Sequence, residues 1–281
     1  MAPQTVIKTT GEEQKFSQTK LQRSLRRAGA NTVLAKDLSD KIAQEKEVVS
    51  TTEIHDRAYK ALRRKHRPLA ARYNLKRALQ LLGPTGYPFE QFFAALLHEK
   101  GYAVRTNQIL RGICVSHEMD VTAQKDGKHY LFECKFHNRP GFRTDVKTVL
   151  YIKARYDDLY EKFQSDNKHA GERHHMWIVT NTQFTSEARR YAKCVGISLM
   201  SWRYPTGKSL AELIDETGLH PVTALTHLTL KQKHQLINEH VILCRDLQKH
   251  KGILKKIGLH GKKKDRILRE AHAICALKND L

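Results

Sequence analysis

The sequence predicts an α/β protein with a mostly helical N-terminal region, a central mixed sheet in the order αβββαβ-αβ, and a helical C-terminal region. Three observations carry this. Asp126-Gly127 stands between two β-rich runs, residues 117–124 and 129–137, which is the strongest short-range hairpin signal. Downstream, helical periodicity over 145–163 and 186–195 alternates with apolar strands over 176–180 and 197–202, and a strand regained after a crossover helix implies a mixed sheet. Before residue 85 and after residue 209, apolar residues recur at helical spacing and β-rich runs are scarce.

Composition bounds the partners. The chain has 281 residues, enough for two or three domains, with 40% hydrophobic and 28% charged side chains. A net charge of +21 implies an anionic polymer partner, either nucleic acid or a membrane surface. The absence of an 18-residue apolar run predicts no membrane span, and Met-Ala-Pro-Gln-Thr-Val lacks the apolar core of a signal peptide. The basic residues are not interleaved with exposed aromatics on one amphipathic helix, which argues against a peripheral membrane protein. Five widely spaced cysteines without a Cys-x-x-Cys argue for a reducing cytoplasm and against structural zinc or a disulfide framework. The 16 histidines show no metal-ligand spacing.

In chain order, residues 4–8 read as a strand with a turn at Thr10-Gly11. Ser17 caps a first helix carrying Leu21, Leu25 and Ala28, and a second spans 34–43. Ser50-Thr51-Thr52-Glu53 forms a capping box for a third, and Pro68 opens a fourth over 70–82, stopped by Gly83-Pro84. The breaker-dense stretch 83–88 marks a domain boundary. A helix over 89–100 buries Phe89, Phe92, Phe93, Leu96 and Leu97, and a strand over 102–106 leads through a loop at Gly112 to the hairpin. The basic loop 138–143 follows, and Thr144 caps the long helix. Beyond 209, amphipathic segments cover 230–242 and 265–277, with Ile257-Gly258-Leu259 between helices. These readings divide the chain at 1–85, 86–205 and 206–281.

The hairpin register places Asp120 opposite Glu133 and Glu118 opposite Lys135. Two facing carboxylates, with Cβ atoms roughly 4.5–5.5 Å apart, repel, and a bound divalent cation is the usual offset. Two oxygen ligands suit Mg²⁺, which retains waters and binds phosphate, and Lys135 can orient an attacking water or stabilise charge on phosphate.

Met119-Asp120…Glu133-Cys134-Lys135 resembles the PD-(D/E)XK nucleases, and among them the Mrr-like (type IV restriction) endonucleases. It departs from their pattern in lacking proline before the aspartate. The run Phe89-Glu90-x-Phe92…Leu96-Leu97…Gly101-Tyr102 resembles the opening helix of that fold. There the glutamate can join the metal site, so Glu90 is a third metal candidate; it can equally serve as a favourable charge at a helix N-terminus. The resemblance implies a restriction-endonuclease-like core hydrolysing phosphodiester bonds in DNA, with Asp120 and Glu133 on Mg²⁺ or Mn²⁺, Lys135 and Glu90 catalytic, and a role in defence.

The first 85 residues resemble an ATP-cone, the nucleotide-binding module of ribonucleotide reductases and their transcriptional repressor. The matching residues are Val6-Ile7-Lys8, Gly11, Phe16-Ser17, Lys20-Leu21, Thr51, Ile54-His55 and Ala70-Ala71-Arg72-Tyr73. The resemblance implies ATP or dATP as regulatory ligand, with Lys8 and Lys20 on phosphates and Thr51 near base or ribose. No Walker-type glycine loop is present, so a nucleotide here regulates rather than fuels work. Around Gly258 the turn resembles a helix-hairpin-helix, whose amides contact phosphate, and Lys249, Lys251, Lys255, Lys256, Lys262, Lys263, Lys264 and Arg266 concentrate charge there. By resemblance the protein self-associates, at least as a dimer. The expected function is a metal-dependent DNA endonuclease controlled by adenine nucleotide. The alternative is a nucleotide-responsive DNA-binding regulator with an inert nuclease-like core.

Overall fold

The computed structural model describes residues 5–8, 11–44, 50–166 and 173–276. Gln4 and Thr10, expected in the first strand and its turn, and Leu277, expected to end the last helix, lie outside them. The chain forms two compact units: residues 1–79 with 220–281, and residues 80–219.

The first unit starts with an antiparallel pair, β1 (Thr5–Ile7) and β2 (Glu13–Lys15), the second of which the sequence did not signal. Helices α1 (Gln18–Arg27), α2 (Thr32–Gln44) and α3 (Thr51–Lys65) follow. Ser17 and Ser50 cap α1 and α3, their hydroxyls accepting from the amides of Lys20 and Glu53. The expected fourth helix is two, α4 (Arg67–Tyr73) and α5 (Leu75–Gln80), because the chain leaves helical geometry at Asn74. Val6, Leu21, Leu25, Leu38, Ile54, Ala58 and Leu62 make the core.

The second unit opens with α6 (Tyr87–Glu99) and contains β3 (Ala103–Arg111), β4 (Ser116–Lys125), β5 (Lys128–Lys135), β6 (Arg143–Thr144), α7 (Val146–Ser165), β7 (Arg173–Thr180), β8 (Gln183–Phe184), α8 (Ser186–Cys194), β9 (Ser198–Met200) and α9 (Leu210–Thr217). The five-stranded sheet has the order β3-β4-β5-β7-β9, antiparallel through β5 and parallel beyond it. Asp126 and Gly127 take positive φ of 51° and 66°, as a two-residue turn between twisted strands requires. The resulting register, Lys125 with Lys128 through Val121 with Phe132, is the one the sequence predicts. One face of the sheet carries α6, through Phe93 on Phe132 and Phe89 on Phe136. The other buries Leu131, Ile178 and Leu199 against Val149, Ile152 and Leu159 of α7 and Ala188 and Ala192 of α8.

Strand β3 runs to Arg111, well past the expected end at 106, because its turn is anchored. Asp158 of α7 accepts from the amides of Cys114 (2.6 Å) and Val115 (3.2 Å) and meets His117 Nε2 at 2.7 Å. A Cβ on Gly112 would lie 2.1 Å from Asp158 Oδ2, so only glycine fits beneath that carboxylate. The cap of α7 is Asp145, not Thr144, whose hydroxyl is engaged with His137.

The chain returns to the first unit with a 3₁₀ turn at Val222–Ala224, then α10 (Leu230–Asn238), α11 (Asp246–Lys249), α12 (Lys251–Lys256) and α13 (Gly261–Ala276). The segment that folds with the N-terminal helices begins at His220, and α9 stays in the sheet-bearing unit against α6. Arg63 and Arg67 of the α3–α4 region donate to the carbonyl and hydroxyl of Thr226, and Thr223 donates to the carbonyl of Ala78. Buried Glu270 of α13 fixes that segment by accepting from the amides of Thr226 (2.8 Å) and His227 (3.1 Å). Among the described residues no helix is long and apolar enough to cross a membrane.

Candidate active site

Strand β4 loses its alternation at Asp120. Leu131 lies opposite Thr122, yet Leu131 shares a core with Met119. On a regular strand Met119 and Thr122 would point to opposite faces. The neighbouring ladder shows the cause. It pairs Thr106 with Val121 and Gln108 with Met119 but omits the residues between them, where Asn107 takes φ 52°. Asparagine tolerates this left-handed conformation better than most side chains.

The expected cross-strand pair of Asp120 and Glu133 is therefore absent, since the β4–β5 ladder ends at Val121–Phe132. Asp120 instead turns a carboxylate oxygen to the backbone amide of Cys134 at 2.6 Å. Glu118 pairs with Ile109 rather than Lys135, and its carbonyl accepts from Arg155.

Glu133 is almost wholly buried, and two cations neutralise it. Lys135 Nζ lies 2.7 Å from one carboxylate oxygen and Arg155 Nη1 2.9 Å from the other. Among the described residues no direct ion pair is formed by the other two acids, and the nearby Lys135 only partly offsets their charge. Burial and then the charge of Glu133 push the Asp120 carboxyl up to about 6, against the lowering effect of the Cys134 amide. Burial, then the charges of Asp120, Glu133 and Glu118, push Glu90 up to about 7. The structure thus gathers all four sequence-predicted residues into one electrostatic neighbourhood at the end of β5. Cys134, buried among these acids, has its thiol pushed well up and stays a neutral packing group.

Three family models match the chain: an ATP cone domain matches residues 4–80, a restriction endonuclease (Mrr catalytic) domain 82–214, and an AF1548-like C-terminal domain 220–275, the first and last of which fall in one compact unit of the fold. A relative from Archaeoglobus fulgidus, described as an uncharacterized protein, is 38% identical over 182 residues, spanning 64% of this chain and 98% of its own. The crystal structure of a protein of unknown function, AF1548, is 36% identical with a TM-score of 0.54, covering 68% of this chain and 98% of that one. The chain belongs to the AF1548-like family. It joins an ATP-cone to an Mrr-like restriction endonuclease domain. A second structure, the MspJI restriction endonuclease with a 27-mer oligonucleotide, overlaps at 10% identity and a TM-score of 0.33, covering 72% of this chain and 39% of that one.

In the Mrr-like domain, sequence reasoning missed three supporting residues. Arg155 lies three residues after Ile152 and four before Leu159, so a charge on the buried stripe of α7 was the available signal. Asn181, fully buried, grips the chain just beyond the motif: its side chain accepts from the His137 amide (2.9 Å) and donates to the His137 carbonyl (2.8 Å). Thr144 holds the His137 ring at 3.0 Å. Asn181 carries no sequence signal, and the signal at Thr144 is that of a helix cap, not of a partner for His137.

In the cone, a parallel bridge between Ile7 and Ser50 sets Lys8 and Thr51 each one residue beyond the bridged pair. Lys8 is paired with Glu12 at 2.6 Å, and Lys20 is exposed on the first turn of α1.

Metal fits this donor set in part. Asp120 and Glu90 are carboxylates short of positive charge, with oxygen donors suited to Mg²⁺. Among the described residues, however, no three acids, histidines or cysteines converge closely enough to enclose an ion. A cation here would rest on two carboxylates, with water and phosphate completing it.

The raised acids set a pH dependence. The folded state holds protons on Asp120 and Glu90 that the unfolded chain has released, so their contribution to stability is present in acid and is lost as pH rises through about 6 and about 7. Melting measured in EDTA should fall between pH 5.5 and 8 more steeply for the native protein than for Glu90→Gln, and Mg²⁺ should recover more at pH 8 than at pH 5.5. Parallel curves for the two proteins would show that Glu90 is not held protonated.

Proposed function

We propose that the protein is a Mg²⁺- or Mn²⁺-dependent DNA endonuclease of restriction or defence type, controlled by ATP or dATP at its cone. One observation carries the reading. At the end of a buried strand, Glu90 and Asp120 stand beside a Glu133–Lys135 pair, and among the described residues neither has an ion pair of its own, so that burial and neighbouring acids outweigh the nearby Lys135, within a domain of the Mrr-like family. Burying like charges is costly unless something binds them.

Asp120 and Glu133 would hold the metal, with Glu90 at its edge. Bound there, the metal supplies charge stabilisation for the phosphate and a lowered pKa for water. Lys135, half-exposed beside Glu133, positions the attacking water and stabilises developing charge. Arg155 holds the Glu133 carboxylate oriented from behind, and Asn181 fixes the strand end.

The alternative, a DNA-binding regulator with an inert core, draws support from the full occupation of Glu133 by Arg155 and Lys135. Substitution separates the two. Asp120→Asn or Glu133→Gln should reduce metal-dependent cleavage by two orders of magnitude or more while DNA affinity holds or rises. Lys135→Ala should lose cleavage with metal binding retained. Unchanged cleavage in Asp120→Asn removes that residue from the site, and no cleavage by the native protein in either metal favours the regulator.

Lys255, Lys256, Lys262 and Lys263 are exposed about the turn at Gly258, between α12 and α13, and we assign them to DNA phosphate. Alanine at each should weaken binding to all sequences alike and reduce the slope of log K against log salt by about 0.9 for every phosphate that is no longer neutralised. An unchanged slope returns them to the solvated surface.

For the cone, Lys8, Lys20 and Thr51 would contact adenine nucleotide, whose effect requires different affinity for two states of the protein. Nucleotide should change oligomeric state and cleavage rate together, and Lys20→Ala should abolish both responses while basal cleavage persists. Calorimetry without nucleotide binding would reject this regulation.

A further inference from the structure

Beside the end of β5 a groove of about 370 Å³ is lined by Pro84, Phe136, His137, Asn138, Arg139 and Phe142. Its floor is firm, with Phe136 packed on Phe89 of α6 at 5.9 Å between ring centroids. Its wall lies near Glu90: a Cβ on Gly86 would lie 3.0 Å from Glu90 Oε1 and 3.9 Å from the Cβ of Phe136.

The loop forming the other wall is pinned more tightly than a connection needs. Asn181 engages both the amide and the carbonyl of His137, and Thr144 holds its ring. Over that ring lies Phe142, with centroids 4.1 Å apart, yet Phe142 remains 50% exposed. A large apolar ring at a basic surface, held in place with an open face, calls for a flat partner. Arg139 and Arg143, both exposed on the same loop, supply positive charge, and the Asn138 amide offers a donor and an acceptor.

Aromatic faces beside guanidinium groups are the chemistry that receives a nucleobase and its phosphate. Resting on the nuclease reading above, we propose that this groove receives one unstacked nucleobase of the DNA strand, next to the phosphate that is cut. The substrate is then DNA whose base is free of its stack at that point. Such a base comes either from a single-stranded stretch or from a duplex that releases it at a mismatch or lesion.

The test measures equilibrium binding of the full-length protein in EDTA, so that affinity is read without cleavage. The probes are a single strand, a matched duplex, a duplex with one mismatch, and an all-abasic strand of equal length. Phe142→Ala should lose about tenfold or more in affinity for the single strand or the mismatched duplex. The same variant should bind the all-abasic strand as the native protein does, and Phe142→Trp should restore binding. A loss confined to the mismatched duplex assigns the base to duplex DNA, and a loss confined to the single strand assigns it to unpaired DNA. Equal affinity of Phe142→Ala and the native protein for every base-bearing probe, or an equal loss on the abasic strand, overturns the proposal. Cleavage of the same DNAs in Mg²⁺ is scored separately. Ring-dependent binding without cleavage refutes the nuclease reading alone, and cleavage with ring-independent binding refutes the groove alone.

Discussion

The β3–β4 ladder breaks between its Thr106–Val121 and Gln108–Met119 pairs, and the arrangement of charge at that end of the sheet follows from the break. A regular strand would set the Asp120 and Glu133 side chains opposite one another across the hairpin, where like charges are destabilising. With Asn107 in left-handed geometry, Asp120 accepts the Cys134 amide, and Glu133 meets Arg155 and Lys135. The repulsion is relieved in part, by cations seated on Glu133, and Asp120 still feels the charge of Glu133.

That relief is uneven, and the unevenness is what makes the site chemically interesting. Glu133 is satisfied, whereas Asp120 and Glu90 keep protons into the range of about 6 to 7 because burial and neighbouring acids oppose their ionisation. Near neutral pH, deprotonation of such a pair would add negative charge that a bound cation would offset. Lys135 and Arg155 occupy both oxygens of Glu133, so that Glu133 would serve a cation only with Lys135 released from it.

Much of this was legible in the sequence where local chemistry decides it. Asp126-Gly127 fixes the hairpin turn and its register, and Ser17 and Ser50 place the starts of α1 and α3. The convergence of Glu90, Asp120, Glu133 and Lys135 was legible through a family resemblance. What was hidden depends on tertiary context. A single asparagine gives no warning that its ladder will skip a pair, and Asn74 none that a helical run will divide. Thr144 looks like a helix cap until His137 claims its hydroxyl. The packing of the 220–276 segment on the N-terminal helices rests on Arg63, Arg67 and Thr226, residues ordinary in type and distant in sequence.

The most direct test of a cation site formed by these carboxylates is anomalous diffraction from crystals of the protein soaked in Mn²⁺ at pH 8. The predicted result is a peak about 2.1 Å from oxygens of both Asp120 and Glu133, with Lys135 displaced from Glu133. No peak there, with Lys135 and Arg155 still seated on Glu133, would contradict a metal site at these residues.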